Sequence, residues 1–197
     1  MKLNGKIKAI IFDLGGVLIN IDWKEAYDCL TRKTQVENIN WDKFEPVLHS
    51  YERGQISSAE FRKSTCEILG VNLSDEEFDR CWNAMIFDFP EVRKHIIRAL
   101  RKKYRVYLLS NINEIHRLYV EKQPYWEPEI FDEIFWSCQL GSRKPEPEIY
   151  KKVLDKTGVK PGEVIFFDDM EANVLAAQRL GIQAILVDLP IEKILEI

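Results

Sequence analysis

Ala9-Ile10-Ile11-Phe12-Asp13-Leu14-Gly15-Gly16-Val17-Leu18 decides the fold. An apolar run, β-branched at Ile10 and Ile11, meets no polar residue before Asp13, and two glycines then break it. Such a run is the pattern of a strand buried on both faces, as in a parallel sheet, and the glycines supply a tight loop after it. A lone carboxylate therefore stands at the strand's carboxyl end, the edge of an open α/β sheet where ligands bind. On this stretch alone Asp13 is equally readable as a turn residue or as a group placed for chemistry.

The C-terminal part of the chain completes the sheet. Pro90 opens a helix with Val92, Ile96, Ile97 and Leu100 on one face, and a strand over 105–109 ends in Ser110-Asn111. A helix over 113–121 and a strand at 134–136 lead to Gly141-Ser142-Arg143-Lys144-Pro145. A helix over 146–157 is stopped by Gly158; a strand over 164–167 runs into Asp168-Asp169; a helix over 172–180 and a strand over 184–187 follow. This alternation predicts an α/β fold with a doubly wound parallel sheet.

Between 22 and 85 the pattern is different. Apolar residues recur at helical spacing and no strand-like run interrupts them. Asp22 is placed to cap one helix, Ser57 with Glu60 and Ser74 with Glu77 form capping-box patterns for two more, and a fourth lies between residues 40 and 50. The expected organisation is an α/β core of residues 1–18 and 90–197, with a four-helix cap subdomain of residues 19–89 inserted after the first strand.

Composition limits the partners. Of 197 residues 28 are basic and 32 acidic, a net charge of −4 with no basic cluster, which argues against nucleic acid or an anionic membrane but permits a small anionic ligand. No run is long enough for a membrane span, and the apolar run after the N-terminal lysines is too short for a secretory signal. Cys29, Cys66, Cys81 and Cys138 are widely spaced without a histidine pair nearby, so reduced thiols and a cytoplasmic location are expected.

Parallel strands bring their carboxyl ends to one edge, so Asp13, Ser110-Asn111, Arg143-Lys144 and Asp168-Asp169 should converge. Three carboxylates packed together repel and call for a cation. An all-oxygen donor set that leaves positions for water and phosphate suits Mg²⁺.

The segments Phe-Asp-Leu-Gly-Gly-Val-Leu, Leu-Leu-Ser-Asn, Arg-Lys-Pro-Glu-Pro-Glu-Ile-Tyr and Phe-Phe-Asp-Asp-Met-Glu-Ala-Asn, in this order and with a helical insertion after the first, resemble the four motifs of the haloacid dehalogenase superfamily of phosphohydrolases. The resemblance spans essentially the whole chain and implies the Rossmann-like core of that superfamily. Within it, Glu52-Arg53-Gly54 in the insertion is similar to a stretch of bacterial phosphatases that hydrolyse α-D-glucose 1-phosphate. The resemblance implies a Mg²⁺-dependent phosphatase of a small phosphorylated metabolite, a sugar phosphate such as glucose 1-phosphate, acting through an aspartyl-phosphate. Asp13 would be the nucleophile. Ser110 and the backbone of Asn111 would hold a phosphoryl oxygen, and Lys144 would neutralise nucleophile and phosphate. Asp13, the Gly15 carbonyl and Asp169 would bind the metal directly, with Asp168 acting through water. Arg53 is expected to reach the substrate.

One position departs from the pattern. Most phosphatases of the superfamily carry a second aspartate two residues after the nucleophile, as general acid and base, and here that position is Gly15. Such catalysis is worth about 10²–10⁴-fold, so its absence favours a substrate with an acidic leaving oxygen, as the anomeric oxygen of a sugar 1-phosphate is. His49, Glu52 and Asp22 are candidate replacements for the base. Two further readings follow from the same residues: a catalytically weak protein that binds a phosphorylated ligand or protein partner, and hydrolytic dehalogenation, against which the Asp168-Asp169 pair argues.

Overall fold

Strands β1 (Ala9–Phe12), β2 (Arg105–Ser110), β3 (Glu133–Trp136), β4 (Val164–Asp168) and β5 (Gln183–Leu186) form one sheet. Their order in the computed structural model, which describes residues 6–32 and 39–195, is β3-β2-β1-β4-β5, with every pair parallel. The chain order runs outward from β1 in both directions, so the switch point at which such sheets bind ligands falls between β1 and β4. Phe12 is in register with Leu108 on one side and Phe167 on the other, and Asp13 N donates to Phe167 O at 2.9 Å.

The alternation of side chains along β1 divides the core. Ile10 and Phe12 join a cluster that takes in Ile96, Ile97 and Leu100 of α5 (Glu91–Arg101) and Ile191 and Leu195 of α10 (Ile191–Leu195). Ala9 and Ile11 face the other way, onto Ile149, Tyr150 and Val153 of α8 (Pro147–Thr157) and Val174 and Ala177 of α9 (Glu171–Arg179). All four β1 residues are buried, as an uninterrupted apolar strand requires.

Helices α1 (Trp23–Thr31), α2 (Trp41–Glu52), α3 (Ser58–Leu69) and α4 (Asp75–Asn83) occupy the region expected to be helical. Asp22 caps α1, and both capping boxes form, Ser57 with Glu60 and Ser74 with Glu77. Most of the aromatic residues here form core: Phe44, Phe61, Phe78 and Trp82 are buried and interlock edge to face, tilted or, between Phe78 and Trp82, stacked, while Trp23 and Trp41 stay exposed beside an apolar cavity of about 260 Å³. The two chain crossings into this region run antiparallel: Asp22 N donates to Met85 O, and Phe87 N to Asn20 O, with Ile21 bridged to Ile86.

The structure corrects one expectation about the cysteines. Cys29 of α1 and Cys81 of α4 are joined in a disulfide across 52 residues, and only Cys66 and Cys138 are free thiols. Sequence separation hides this pairing, because it depends on how α1 and α4 pack. The helix α6 (Glu114–Val120) follows β2 as expected, whereas α7 (Ser137–Leu140) and α10 are too short for periodicity to reveal them. No helix among the described residues is long and apolar enough to cross a membrane.

Candidate active site

Three strand ends and one loop meet at the switch point, the expected fourth strand end being replaced by the loop after α7. Asp13 follows β1 directly, Ser110 closes β2, Asp168 closes β4 with Asp169 after it, and Lys144 arrives on the loop between α7 and α8. Each of Asp13, Asp168 and Asp169 offers a carboxylate oxygen within 4.8 Å of the others.

Lys144 is the hub. It is 1% exposed, and its Nζ lies 2.7 Å from Asp13 Oδ1 and 2.7 Å from Asp168 Oδ2, and donates to Leu109 O at 3.0 Å. Asn111 fixes its backbone from both sides, accepting from Lys144 N and donating to Lys144 O, each at 2.8 Å. The Asn111 side chain is thus spent on the Lys144 loop, not on open space. Asp168 is equally saturated: Oδ1 accepts from Met170 N at 2.9 Å and from Asn173 Nδ2 at 2.8 Å, while Oδ2 receives Lys144. Asn173 belongs to the last motif quoted above, yet nothing in the pattern assigned it a role. Only the fold shows that it orients Asp168.

The electrostatics are unbalanced in a specific way. Burial raises the Asp13 carboxyl to about 7, with Asp168 and Asp169 adding to the rise and Lys144 opposing it. Burial, then Asp168, also raises Asp169, again against Lys144. Three carboxylates face one ammonium, so the cluster lacks positive charge, and a divalent cation with oxygen ligands fits it. Gly16, at φ +77°, allows the close approach, because a Cβ there would stand 2.3 Å from Asp169 Oδ2.

Beside Gly15 and Ser110 opens a cavity of about 90 Å³. Leu14, Ile21, Met85, Ile86 and Ile112 give it apolar walls; Glu52, Ser110, Asn111, Asn113 and His116 supply its polar groups. Ser110 is 3% exposed, and among the described residues its Oγ makes only a long contact, 3.4 Å, to Asn111 O. His116 is buried and stacked on Trp82, its ring nitrogens bonded to Asn113 Nδ2 and Trp82 O. Burial pushes this imidazole down to about 4, so it stays neutral.

The structure does not bring Arg53 into the cavity wall. Its guanidinium pairs instead with Glu146, Nε donating to Oε1 at 2.7 Å, and the neighbouring Glu52 takes the wall position while accepting from Arg143 Nε at 2.6 Å. Of the other candidate bases, Asp22 is consumed as the α1 cap and His49 lies 3.6 Å from Glu45.

The sequence relatives agree with this geometry. D-ribitol-5-phosphate phosphatase of Bacteroides thetaiotaomicron is 33% identical over 186 residues, covering 90% of each chain. A sesquiterpene phosphatase of Aspergillus oryzae is 30% identical over 184 residues, covering 88% of this chain and 86% of its own. Among solved structures, a HAD-family enzyme of B. thetaiotaomicron superposes with a TM-score of 0.87 at 33% identity, covering 96% of this chain and 98% of its own. The same enzyme has been solved with magnesium and inorganic phosphate (TM-score 0.78, 35% identity, 91% and 93% covered). The family model for haloacid dehalogenase-like hydrolases matches residues 7–181, and the chain belongs to that family.

Proposed function

We propose that the protein is a Mg²⁺-dependent phosphatase of a small phosphorylated metabolite, working through an aspartyl-phosphate on Asp13. The observation that carries this reading is the buried triangle of Asp13, Lys144 and Asp168 at the sheet's switch point, with Asp169 completing an oxygen donor set. Asp13, the Gly15 carbonyl and Asp169 would hold Mg²⁺, with Asp168 joining through water because its oxygens are already hydrogen-bonded. When bound, the ion supplies Lewis-acid stabilisation of charge on the phosphoryl oxygens.

The chain's own residues do the rest. An oxygen of Asp13 attacks phosphorus while the ester oxygen departs, and the resulting acyl phosphate is released by water. Lys144 holds Asp13 in place and offsets charge at the phosphoryl group, the preorganised electrostatics on which phosphoryl transfer depends. Ser110 Oγ, without a strong partner among the described residues, is free to donate to a phosphoryl oxygen.

A sugar phosphate is the substrate class supported by the ribitol-phosphate-cleaving relative, and a sugar 1-phosphate suits Gly15 because its anomeric oxygen leaves easily. The apolar wall favours a second reading, a phosphate ester with an apolar body, as in the sesquiterpene-phosphatase relative. Phosphate release from a panel of sugar 1-phosphates, sugar 5-phosphates and prenyl phosphates, with and without EDTA, tests the reading. Metal-dependent release is expected; none from any ester would refute it.

A further inference from the structure

We propose that Glu52 is the general acid and base of the reaction, performing the proton transfers for which Gly15 has no side chain. The inference rests on the phosphatase reading above. Leaving-group protonation and water activation both need a titratable side chain at the reacting atoms, and the cavity beside Gly15 and Ser110 contains two among its described lining residues, Glu52 and His116. His116 is committed, with each ring nitrogen in a hydrogen bond and its ring stacked on Trp82. Glu52 is not: Oε2 accepts from Arg143 Nε at 2.6 Å, while Oε1 takes no hydrogen bond from the described residues.

The helix end that carries this carboxylate is also tied to a second segment. Glu52 ends α2 and is 9% exposed. Arg53 pairs with Glu146, and Gly54 packs so closely on the Cys138 carbonyl that a Cβ would stand 2.2 Å from its oxygen. Three consecutive residues therefore clasp the 138–146 segment, which carries Lys144. The group that would move protons and the group that steadies the nucleophile sit on one mechanical unit. Burial raises the Glu52 carboxyl while Arg143 and Lys144 lower it, opposing influences that suit a group serving as acid and then as base.

In the first step an Asp13 oxygen bonds to phosphorus, the bond from phosphorus to the ester oxygen breaks, and protonated Glu52 gives its proton to that oxygen, releasing the alcohol. In the second, a water oxygen bonds to phosphorus, the Asp13–phosphorus bond breaks, and the Glu52 carboxylate takes the proton of the water. Inorganic phosphate leaves, and both side chains return to their starting states.

The test compares kcat/KM for a series of aryl and alkyl phosphates of increasing leaving-group pKa in wild type, Glu52→Gln and Arg143→Met. Gln keeps an acceptor for Arg143 but cannot donate or take the proton; Met breaks the same clasp and spares the carboxylate. Glu52→Gln is expected to lose about 10²–10³-fold on alkyl phosphates but under about tenfold on 4-nitrophenyl phosphate. It is also expected to give a burst of one nitrophenolate per chain, because water attack is slowed. Arg143→Met is expected to lose activity evenly along the series. Glu52→Asp, read against the same series, should recover part of the leaving-group dependence if Gln perturbs folding. A uniform loss in Glu52→Gln without a burst, or no loss, would overturn the assignment while leaving the phosphatase reading intact. A wild-type protein that hydrolyses no ester would overturn both.

Discussion

Lys144 Nζ lies 2.7 Å from Asp13 Oδ1 at a site where the lysine is almost wholly buried. A second carboxylate, Asp168, shares the same ammonium at the same distance. Removing one partner of a buried ion pair leaves an uncompensated charge, which costs about 3–5 kcal/mol. Lys144→Met should therefore unfold at lower denaturant than wild type by about that amount at pH 7. The deficit should shrink as the pH falls below about 7, where the Asp13 carboxyl, raised by its burial, takes up a proton and no longer needs the ammonium. Its phosphatase activity should fall at least about 10³-fold. Equal stabilities at pH 7 would mean that the Lys144 ammonium does not compensate these carboxylates.

Gly16 lies at the contact with Asp169. An alanine there would carry a Cβ into Asp169 Oδ2 and would hold an L-residue at φ +77°. The left-handed backbone costs about 1–2 kcal/mol, and the collision displaces a proposed metal ligand. Gly16→Ala is expected to weaken Mg²⁺ binding at least about tenfold by titration calorimetry, beyond what its stability loss explains. Unchanged affinity would remove Asp169 from the ligand set.

His116 makes stability depend on pH with a definite sign. Its imidazole is pushed down to about 4 when folded, so below the unfolded value of about 6.5 the unfolded chain binds a proton that the folded chain does not. Stability should fall as pH drops from about 6.5 to 4, by up to about 3 kcal/mol from this group. The melting temperature of His116→Asn should decline less steeply over that window than that of wild type. Parallel declines would show that the ring is not kept neutral.

Gly15→Asp restores a carboxylate two residues after Asp13. A Cβ there meets Ile21 Cδ1 at 3.1 Å, the end of a flexible side chain that Ile21→Val shortens. In a Glu52→Gln background the double variant should regain activity preferentially on esters with poor leaving groups. A gain independent of the leaving group would contradict the proton-transfer role assigned to this position and to Glu52.

The ends of β1, β2 and β4 were legible because each is a short apolar run that meets a polar residue at its carboxyl end, and a parallel sheet gathers such ends at one edge. The helical insertion was legible from two capping boxes and an Asx cap that formed as read. What escaped depends on packing across long separations. The Cys29–Cys81 disulfide joins residues that no local pattern relates, and Asn173 holds Asp168 from a helix whose periodicity says nothing of hydrogen bonding. Arg53 drew notice as the basic member of a short motif, but the structure spends it on Glu146 and places Glu52 in the cavity wall. One residue of helical rotation separates the two, finer than sequence spacing resolves at a helix end.

The most direct test of the central claim is phosphate release by wild type and Asp13→Asn on the best ester of the panel, each with Mg²⁺ and with EDTA. Wild type should release phosphate only with Mg²⁺, and Asp13→Asn, folded to the same melting temperature within a few degrees, should retain less than about 10⁻³ of that rate. Undiminished release by Asp13→Asn would contradict Asp13 as the nucleophile.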